Sequence, residues 1–173
     1  TRCGNLHIAF IKQKTMKTFI RQFFLLVGVF SFTFLQASDI KTGGTVKVQE
    51  PVKGNLYMAG GEVEISAPVA GDLVVAGGEI RIFDSLRADA LIAGGEIHLE
   101  GWMGEDLRVF GGEIHINKDI RGDLFVAGGE VNIAEGVTIS GDLICMAGEV
   151  ELAGSVLGNV HMKGGEMKVR GTI

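Results

Sequence analysis

Glutamates recur along this chain at a nearly fixed spacing, and carboxylates at a fixed spacing could bind divalent cations, which prefer oxygen ligands. Successive members lie 17 residues apart, except for one interval of 19 residues: Glu62, Glu79, Glu96, Glu113, Glu130, Glu149 and Glu166. A second polar set keeps the same spacing: Asn55, Asp72, Asp89, Asp106, Asp123, Asp142 and Asn159. Self-similarity at one period predicts a repeat architecture, in which each unit buries its apolar side against its neighbours.

The glutamates could form a cation-binding row if the repeats stack in register about 4.8 Å apart. The candidate ligands are Glu79, Glu96, Glu113 and Glu130. Calcium takes about six to eight oxygen ligands, which is more than one carboxylate per repeat readily supplies. The favoured interpretation is that the glutamates are solvated and that the Asp and Asn set accepts backbone hydrogen bonds at turns. The sequence therefore assigns no metal and no cofactor.

Few other residues could do chemistry. His98 and His115 would lie side by side after stacking, but Arg81 and Asn132, next in the same column, supply no third metal ligand. A surface pair is therefore favoured over a metal site. Cys145 is the only cysteine after residue 37 and is predicted to be a buried, inert thiol. No nucleophile–base spacing appears, so we expect that the chain is not an enzyme.

The residues around each glutamate predict the fold. If Asp72 is position 1 of a coil, apolar residues occupy positions 2, 4, 9, 11 and 15: Leu73, Val75, Ile80, Ile82 and Leu86. This alternation, rich in Val and Ile, is typical of half-buried β-strands. The glycine pair at positions 6 and 7 is expected to turn the chain by adopting φ > 0. We predict an all-β fold, a right-handed parallel β-helix (β-solenoid) of three short strands and about 17 residues per coil, with about seven to eight coils.

The N-terminal part resembles a secretory signal peptide. Met16 is followed by basic Lys17 and Arg21, then by an apolar run over residues 23–35 and by Ala37 as a small residue at the cleavage site. The apolar run is shorter than the about 20 residues that span a bilayer. We therefore expect an exported protein.

The predicted organisation has four parts. Residues 1–15 form an upstream or non-native segment, and residues 16–37 form the signal peptide. A short linker over residues 38–42 precedes a β-helix domain over residues 43–173. Because the chain ends in the middle of a repeat, the β-helix is expected to be truncated at its C-terminus.

The charge balance argues against a nucleic acid partner. The chain has 16 basic and 21 acidic residues, a net charge of −5. Residues 1–37 hold five of the basic residues and no acidic one, so the remainder has a net charge of −10. A surface that binds phosphates needs clustered Lys and Arg, which this composition does not favour.

Outward position 3 is unusually apolar, and position 5 widens the apolar stripe at two coils. The candidate interface residues are Tyr57, Val74, Leu91, Phe110, Phe125, Ile144 and Met146. A contiguous exposed apolar stripe marks an interface, whereas scattered apolar residues are ordinary on protein surfaces. We expect self-association, either end to end or lateral.

Residues 71–80, with the sequence GDLVVAGGEI, and residues 122–131, with the sequence GDLFVAGGEV, resemble the repeats of bactofilins. These are polymer-forming cytoskeletal proteins of bacteria, and the resemblance covers roughly residues 43–173. It implies a right-handed β-helix that assembles end to end into nucleotide-independent filaments. Typical bactofilins are cytoplasmic, whereas this chain has the pattern of an exported protein. Some similar exported proteins carry membrane helices after the solenoid, which would imply association with the membrane or envelope through a missing C-terminal part.

Together these features predict a non-enzymatic structural scaffold of the bacterial cell envelope that polymerises through its solenoid ends. An end coil leaves strand edges and an apolar cross-section unpaired unless it is capped. The alternative is a periplasmic or surface binding or adhesion module. Such a module would recognise glycan, protein or divalent cations along an outward column.

Overall fold

A computed structural model describes residues 38–173, so the predicted upstream segment and signal peptide lie outside the described residues. The strands are β1 Ser38–Val48, β2 Asn55–Ile65, β3 Leu73–Ile82, β4 Ala90–Leu99, β5 Leu107–Ile116, β6 Leu124–Ile133, β7 Thr138–Ile139, β8 Leu143–Leu152, β9 Ser155–Val156 and β10 Val160–Val169. Residues 38–173 contain no helix, and hence none long and apolar enough to cross a membrane.

Each coil of the chain contributes one long strand to a single parallel sheet. Eight strands follow one another in the order β1-β2-β3-β4-β5-β6-β8-β10. The register advances by one repeat per strand, so that Leu56 pairs with Leu73 and Leu73 pairs with Ala90. This stacking confirms the predicted all-β parallel solenoid with about 17 residues per coil.

The prediction of three short strands per coil is wrong in detail. One strand of ten residues runs through the glycine pair in most coils, as β3 does at Gly77 and Gly78. Val75 and Ile80 are both buried, although residues five apart on a regular strand point to opposite faces. The alternation of inward and outward side chains therefore shifts by one residue between them, where the strand bends at the glycines. The third side of the coil is a column of single bridges, such as that between Val69 and Leu86.

The glycine pair serves close stacking rather than φ > 0. Among the glycines of residues 38–173, only Gly136 has a positive φ, of 83°. A Cβ atom at Gly78 would instead lie 2.8 Å from the carbonyl oxygen of Gly61 in the preceding coil. Position 7 is glycine in every coil, whereas position 6 is alanine at Ala147. Position 7 is therefore where the coils approach too closely for a side chain.

The core confirms the predicted inward positions. Leu73, Val75, Ile80, Ile82 and Leu86 are each at most 1% exposed, and no polar or charged side chain is buried in the described chain. Burial of apolar side chains, worth about 1.5–3 kcal/mol each, supplies most of the favourable free energy of such a fold. A continuous apolar column through the coils is therefore what holds them in register.

The first coil begins earlier than predicted, and residues 38–42 are not a linker. They form the start of β1, where Ser38 pairs with Asn55 and Ile40 pairs with Tyr57. β2 is therefore paired with β1 from its first residue to its last. The two-residue insertion lies at Glu135 and Gly136, in a turn closed by the N–H of Val137 donating to the carbonyl of Ala134 at 3.3 Å. It leaves the stacking of the coils unchanged.

Candidate functional site

The glutamates at position 8 line a shallow groove along one corner of the solenoid. The groove has a volume of about 730 Å³ and includes five of them: Glu96, Glu113, Glu130, Glu149 and Glu166. Among residues 38–173, no group of three or more His, Cys, Asp or Glu side chains is arranged to hold a metal ion. The four predicted candidates Glu79, Glu96, Glu113 and Glu130 lie in one column, as their strand pairing requires.

Two cationic side chains at position 10 form ion pairs with four glutamates of this column. Arg81 contacts Glu79 in its own coil, and its Nη1 lies 3.7 Å from Oε1 of Glu62 in the preceding coil. Lys168 Nζ lies 3.2 Å from Oε1 of Glu149 and 3.1 Å from Oε1 of Glu166. Positions 8 and 10 are two residues apart on a strand, so their side chains point to the same side. These pairs were not predicted from the sequence, although the two-residue spacing could have indicated them.

The two histidines form a stacked pair in adjacent coils. The rings of His98 and His115 have centroids 4.8 Å apart and planes 8° apart. Nε2 of His98 lies 2.7 Å from Oε1 of Glu96, and Nε2 of His115 lies 2.8 Å from Oε1 of Glu113. The hydrogen bond from His98 lowers the pKa of the Glu96 carboxyl. Each imidazole is therefore held by the glutamate of its own coil.

The Asp and Asn residues at position 1 form a hydrogen-bonded column between coils. The N–H of Asp123 donates to Oδ1 of Asp106 at 2.9 Å, and the N–H of Asp142 donates to Oδ1 of Asp123 at 2.8 Å. The glycine before position 1 leaves room for this contact, since a Cβ atom at Gly141 would lie 2.3 Å from Oδ1 of Asp123. These carboxylates accept backbone hydrogen bonds, as the sequence predicted, but the donors lie in the next coil, so the bonds also stabilise the stacking.

The predicted interface residues form a continuous exposed surface, which we call the apolar face. It comprises the outward side chains at positions 3 and 5, before the glycine pair, and includes the charged residues Arg108 and Lys163. Six of the seven predicted residues are exposed by 36–43%: Tyr57, Val74, Leu91, Phe110, Ile144 and Met146. Phe125 is half-buried, and its ring lies 5.6 Å from that of Phe110. The structure therefore brings all seven residues onto one surface.

A smaller groove of about 210 Å³ runs between the apolar face and the Asp column. It lies beside Phe125 and Ile144, and one side is lined by Asp106, Asp123 and Asp142. Arg108 is the basic residue within it, with its Nη2 3.4 Å from Oδ2 of Asp106. The apolar face is thus bordered by carboxylates along one edge.

Two further residues have structural contacts. Cys145 is 0% exposed, which confirms its predicted burial, and burial raises the pKa of its thiol to about 11. Such a thiol is a poor nucleophile because little thiolate forms near neutral pH. The guanidinium of Arg121 lies 4.6 Å from the centre of the Trp102 ring in the preceding coil, a cation–π contact between coils.

Comparisons with known protein families, with curated proteins and with solved structures found no match to this chain. The fold and its surfaces are therefore the basis for inferring function.

Proposed function

We propose that this chain is a non-enzymatic structural scaffold of the bacterial cell envelope that associates with copies of itself. The observation that carries the proposal is the apolar face, on which large side chains such as Leu91, Phe110 and Ile144 stand exposed by 40% or more. Monomeric proteins rarely expose a contiguous apolar surface of this kind without using it for an interaction. Because the face repeats with each coil, it suits a partner whose surface repeats at the same spacing, such as another copy of the chain.

The regularity of the coils also supports a structural role. Catalytic residues are usually carried by irregular loops held on a rigid scaffold. In residues 38–173 the corners are short, and the insertion at Glu135 and Gly136 adds only two residues. The proposal includes membership of the bactofilin-like repeat proteins, supported by the solenoid and by the repeat pattern of residues 71–80. The envelope location is supported by the signal-peptide pattern of residues 16–37.

The proposal is tested by measuring the size of the purified full chain without any ligand, by electron microscopy and sedimentation velocity. We expect filaments or concentration-dependent oligomers. A strictly monomeric protein at high micromolar concentration would contradict the scaffold and favour a binding module.

A triple variant tests whether the apolar face carries the association. Leu91→Lys, Phe125→Lys and Ile144→Lys together add three charges to that face, and the variant should be smaller in particle size than the native chain. A matched control adds the same charges at exposed position 16 on the third side of the coil: Ala70→Lys, Ser140→Lys and Leu157→Lys. The control should associate like the native chain, and an equal effect of both variants would argue against the apolar face.

A further inference from the structure

We infer that the apolar face is covered by a second copy of this chain, packed face to face with the two solenoid axes parallel and equal coils at equal levels. The inference rests on the proposed self-association, and it specifies the partner and its orientation. It follows from three properties of the face: the sizes of its side chains, the charges along its edge and its area.

Side chains on the apolar face are large at position 3 where they are small at position 5. Four coils pair a large residue with alanine: Tyr57 with Ala59, Val74 with Ala76, Leu91 with Ala93, and Phe125 with Ala127. Because neighbouring strands align like positions, the large residues form a ridge along the solenoid. Ala59, Ala76 and Ala93 form a trough beside it, which Phe110 and Met146 interrupt in later coils. In these four coils, the large side chain at position 3 therefore stands next to a position 5 where nothing projects beyond a methyl group.

The ridge of one copy fits the trough of another in one arrangement. A twofold axis parallel to the solenoid axis keeps each coil at its level and reverses the direction of its strand. Position 3 of each copy then lies opposite position 5 of the other, so that Leu91 enters the space above Ala93 of the second copy. The cores of specific interfaces are packed as closely as protein interiors, which this fit allows.

Besides the last coil, which has His161 and Lys163, two coils have large residues at both positions. In the first, Arg108 would lie opposite Phe110 of the second copy, and a guanidinium over an aromatic ring is a favourable contact. In the second, Ile144 would lie opposite Met146, whose flexible side chain adapts to irregular space. Neither coil prevents the arrangement.

The alternative twofold axis runs along the strands and makes the two solenoids antiparallel. It places ridge on ridge and trough on trough, which leaves voids over the alanines. It also places the Asp column of one copy against that of the other, where unit charges a few ångströms apart repel. In the inferred arrangement position 1 lies opposite position 7, which is glycine in every coil and carries no side chain.

The area of the face is sufficient for a specific but weak dimer. Eight strands about 4.8 Å apart and about five residues across give roughly 38 by 16 Å, or about 600 Å² per copy. Two copies would bury about 1,200 Å², which lies at the lower limit for specific interfaces. Association should therefore depend on concentration in the micromolar range.

A pair of complementary variants tests the arrangement. Leu91→Ala removes one ridge residue, and Ala93→Leu fills the trough beside it. Each variant alone should associate about tenfold more weakly than the native chain, because one leaves a void and the other a clash. An equimolar mixture should recover association to within about threefold of the native value, because the short and long side chains then meet. Sedimentation velocity of each sample alone and of the mixture measures this.

The controls separate the two proposals. Ala70→Leu, at an exposed site on the third side of the coil, should leave association unchanged. Because every substituted side chain points outward, all variants should keep the native melting temperature when it is measured at a concentration where the native chain is monomeric. If both variants weaken association and the mixture does not recover, or if neither has an effect, this arrangement is overturned while self-association through the face still stands. If the triple lysine variant also associates normally, the proposed use of the face fails as well.

Discussion

The carbonyl oxygen of Gly61 lies 2.8 Å from the point that a Cβ atom would occupy at Gly78 in the next coil. The same close approach recurs at position 7 of the later coils. At this position the coils are so close that there is no room for a side chain between them. A Cβ atom nearer than 3.0 Å to a backbone oxygen forces the coils apart. The glycine at position 7 therefore has a steric role between coils.

Gly78→Ala should destabilise the protein by about 1–3 kcal/mol, because the added methyl group overpacks against the backbone of the preceding coil. Gly44→Ala is a matched control at the same position of the first coil, where nothing in the described chain lies within 4 Å of the new Cβ. The control should change the free energy of unfolding by less than about 0.5 kcal/mol. Urea unfolding followed by circular dichroism measures both, and equal losses would contradict the steric explanation.

A second prediction concerns the Asp column. Asp123→Ala removes the acceptor of the N–H of Asp142 and should cost about 0.5–1.5 kcal/mol, the usual value of a hydrogen bond. Asp123→Asn keeps an oxygen acceptor and should recover most of the loss, as Asn55 already accepts the N–H of Asp72 at 3.0 Å. If the asparagine variant is as unstable as the alanine variant, the carboxylate charge rather than the hydrogen bond matters at this position.

The sequence predicts the core well because burial alternates along the strands. The inward positions of one coil, from Leu73 to Leu86, could be read from residue type alone, and the fixed spacing gave their stacking. The surface contacts are harder to predict, since a hydrogen bond such as that from Asp142 to Asp123 depends on how far one coil lies above the next. The general spacing of stacked strands, about 4.8 Å, is known in advance, but the placement of one coil relative to the next appears only in the folded chain.

The glycine pair shows the same limit. Two glycines between apolar runs indicate a corner, but a corner can be made with φ > 0 or by a gentle bend of a continuous strand. At Gly77 and Gly78 the sheet hydrogen bonding continues through the bend, so β3 is one strand. Only the backbone of the neighbouring coil decides between these outcomes, because its carbonyl groups fill the space where side chains would lie.

A third prediction compares two glutamates of the same column. Glu130 lies between Glu113 and Glu149 and has Asn132 at position 10, and no cationic side chain contacts it in residues 38–173. Glu130→Gln should therefore raise the melting temperature at pH 7 and low salt by relieving repulsion. The gain should shrink in 1 M NaCl, where charges are screened within about 3 Å.

Glu96→Gln is the matched comparison for Glu130→Gln, because Glu96 lies in the same column but is hydrogen-bonded to His98. The pKa of this carboxyl is lowered in the folded state, so its stabilising effect is present above the ordinary value of 4.5 and is lost as the pH falls through the folded value. At pH 7, Glu96→Gln should therefore raise the melting temperature less than Glu130→Gln does, or should lower it. The difference between the variants should shrink as the pH falls through the folded pKa of Glu96. Melting temperatures at several pH values measure this, and a constant difference would contradict the pairing.

The last prediction concerns Cys145, whose thiol has its pKa raised from 9.0 to about 11 by burial. The unfolded chain loses this proton near pH 9, whereas the folded chain keeps it, so the unfolded state is favoured increasingly as the pH rises from 9 to 11. A difference of about two pKa units corresponds to about 2–3 kcal/mol by pH 11.

Cys145→Val removes this titration and fits the site, since Val75, Val109 and Val126 occupy the same position in other coils. In a Cys3→Ser background, the native residue should lose stability between pH 9 and 11 more steeply than the valine variant. Urea unfolding at each pH measures the two slopes, and other titrating groups cancel because both proteins share them. Below pH 8 the thiol of the folded chain should also resist alkylation until the protein is unfolded. Parallel slopes, or rapid alkylation of the native protein, would show that the sulfur is accessible to solvent and that the core opens at this coil.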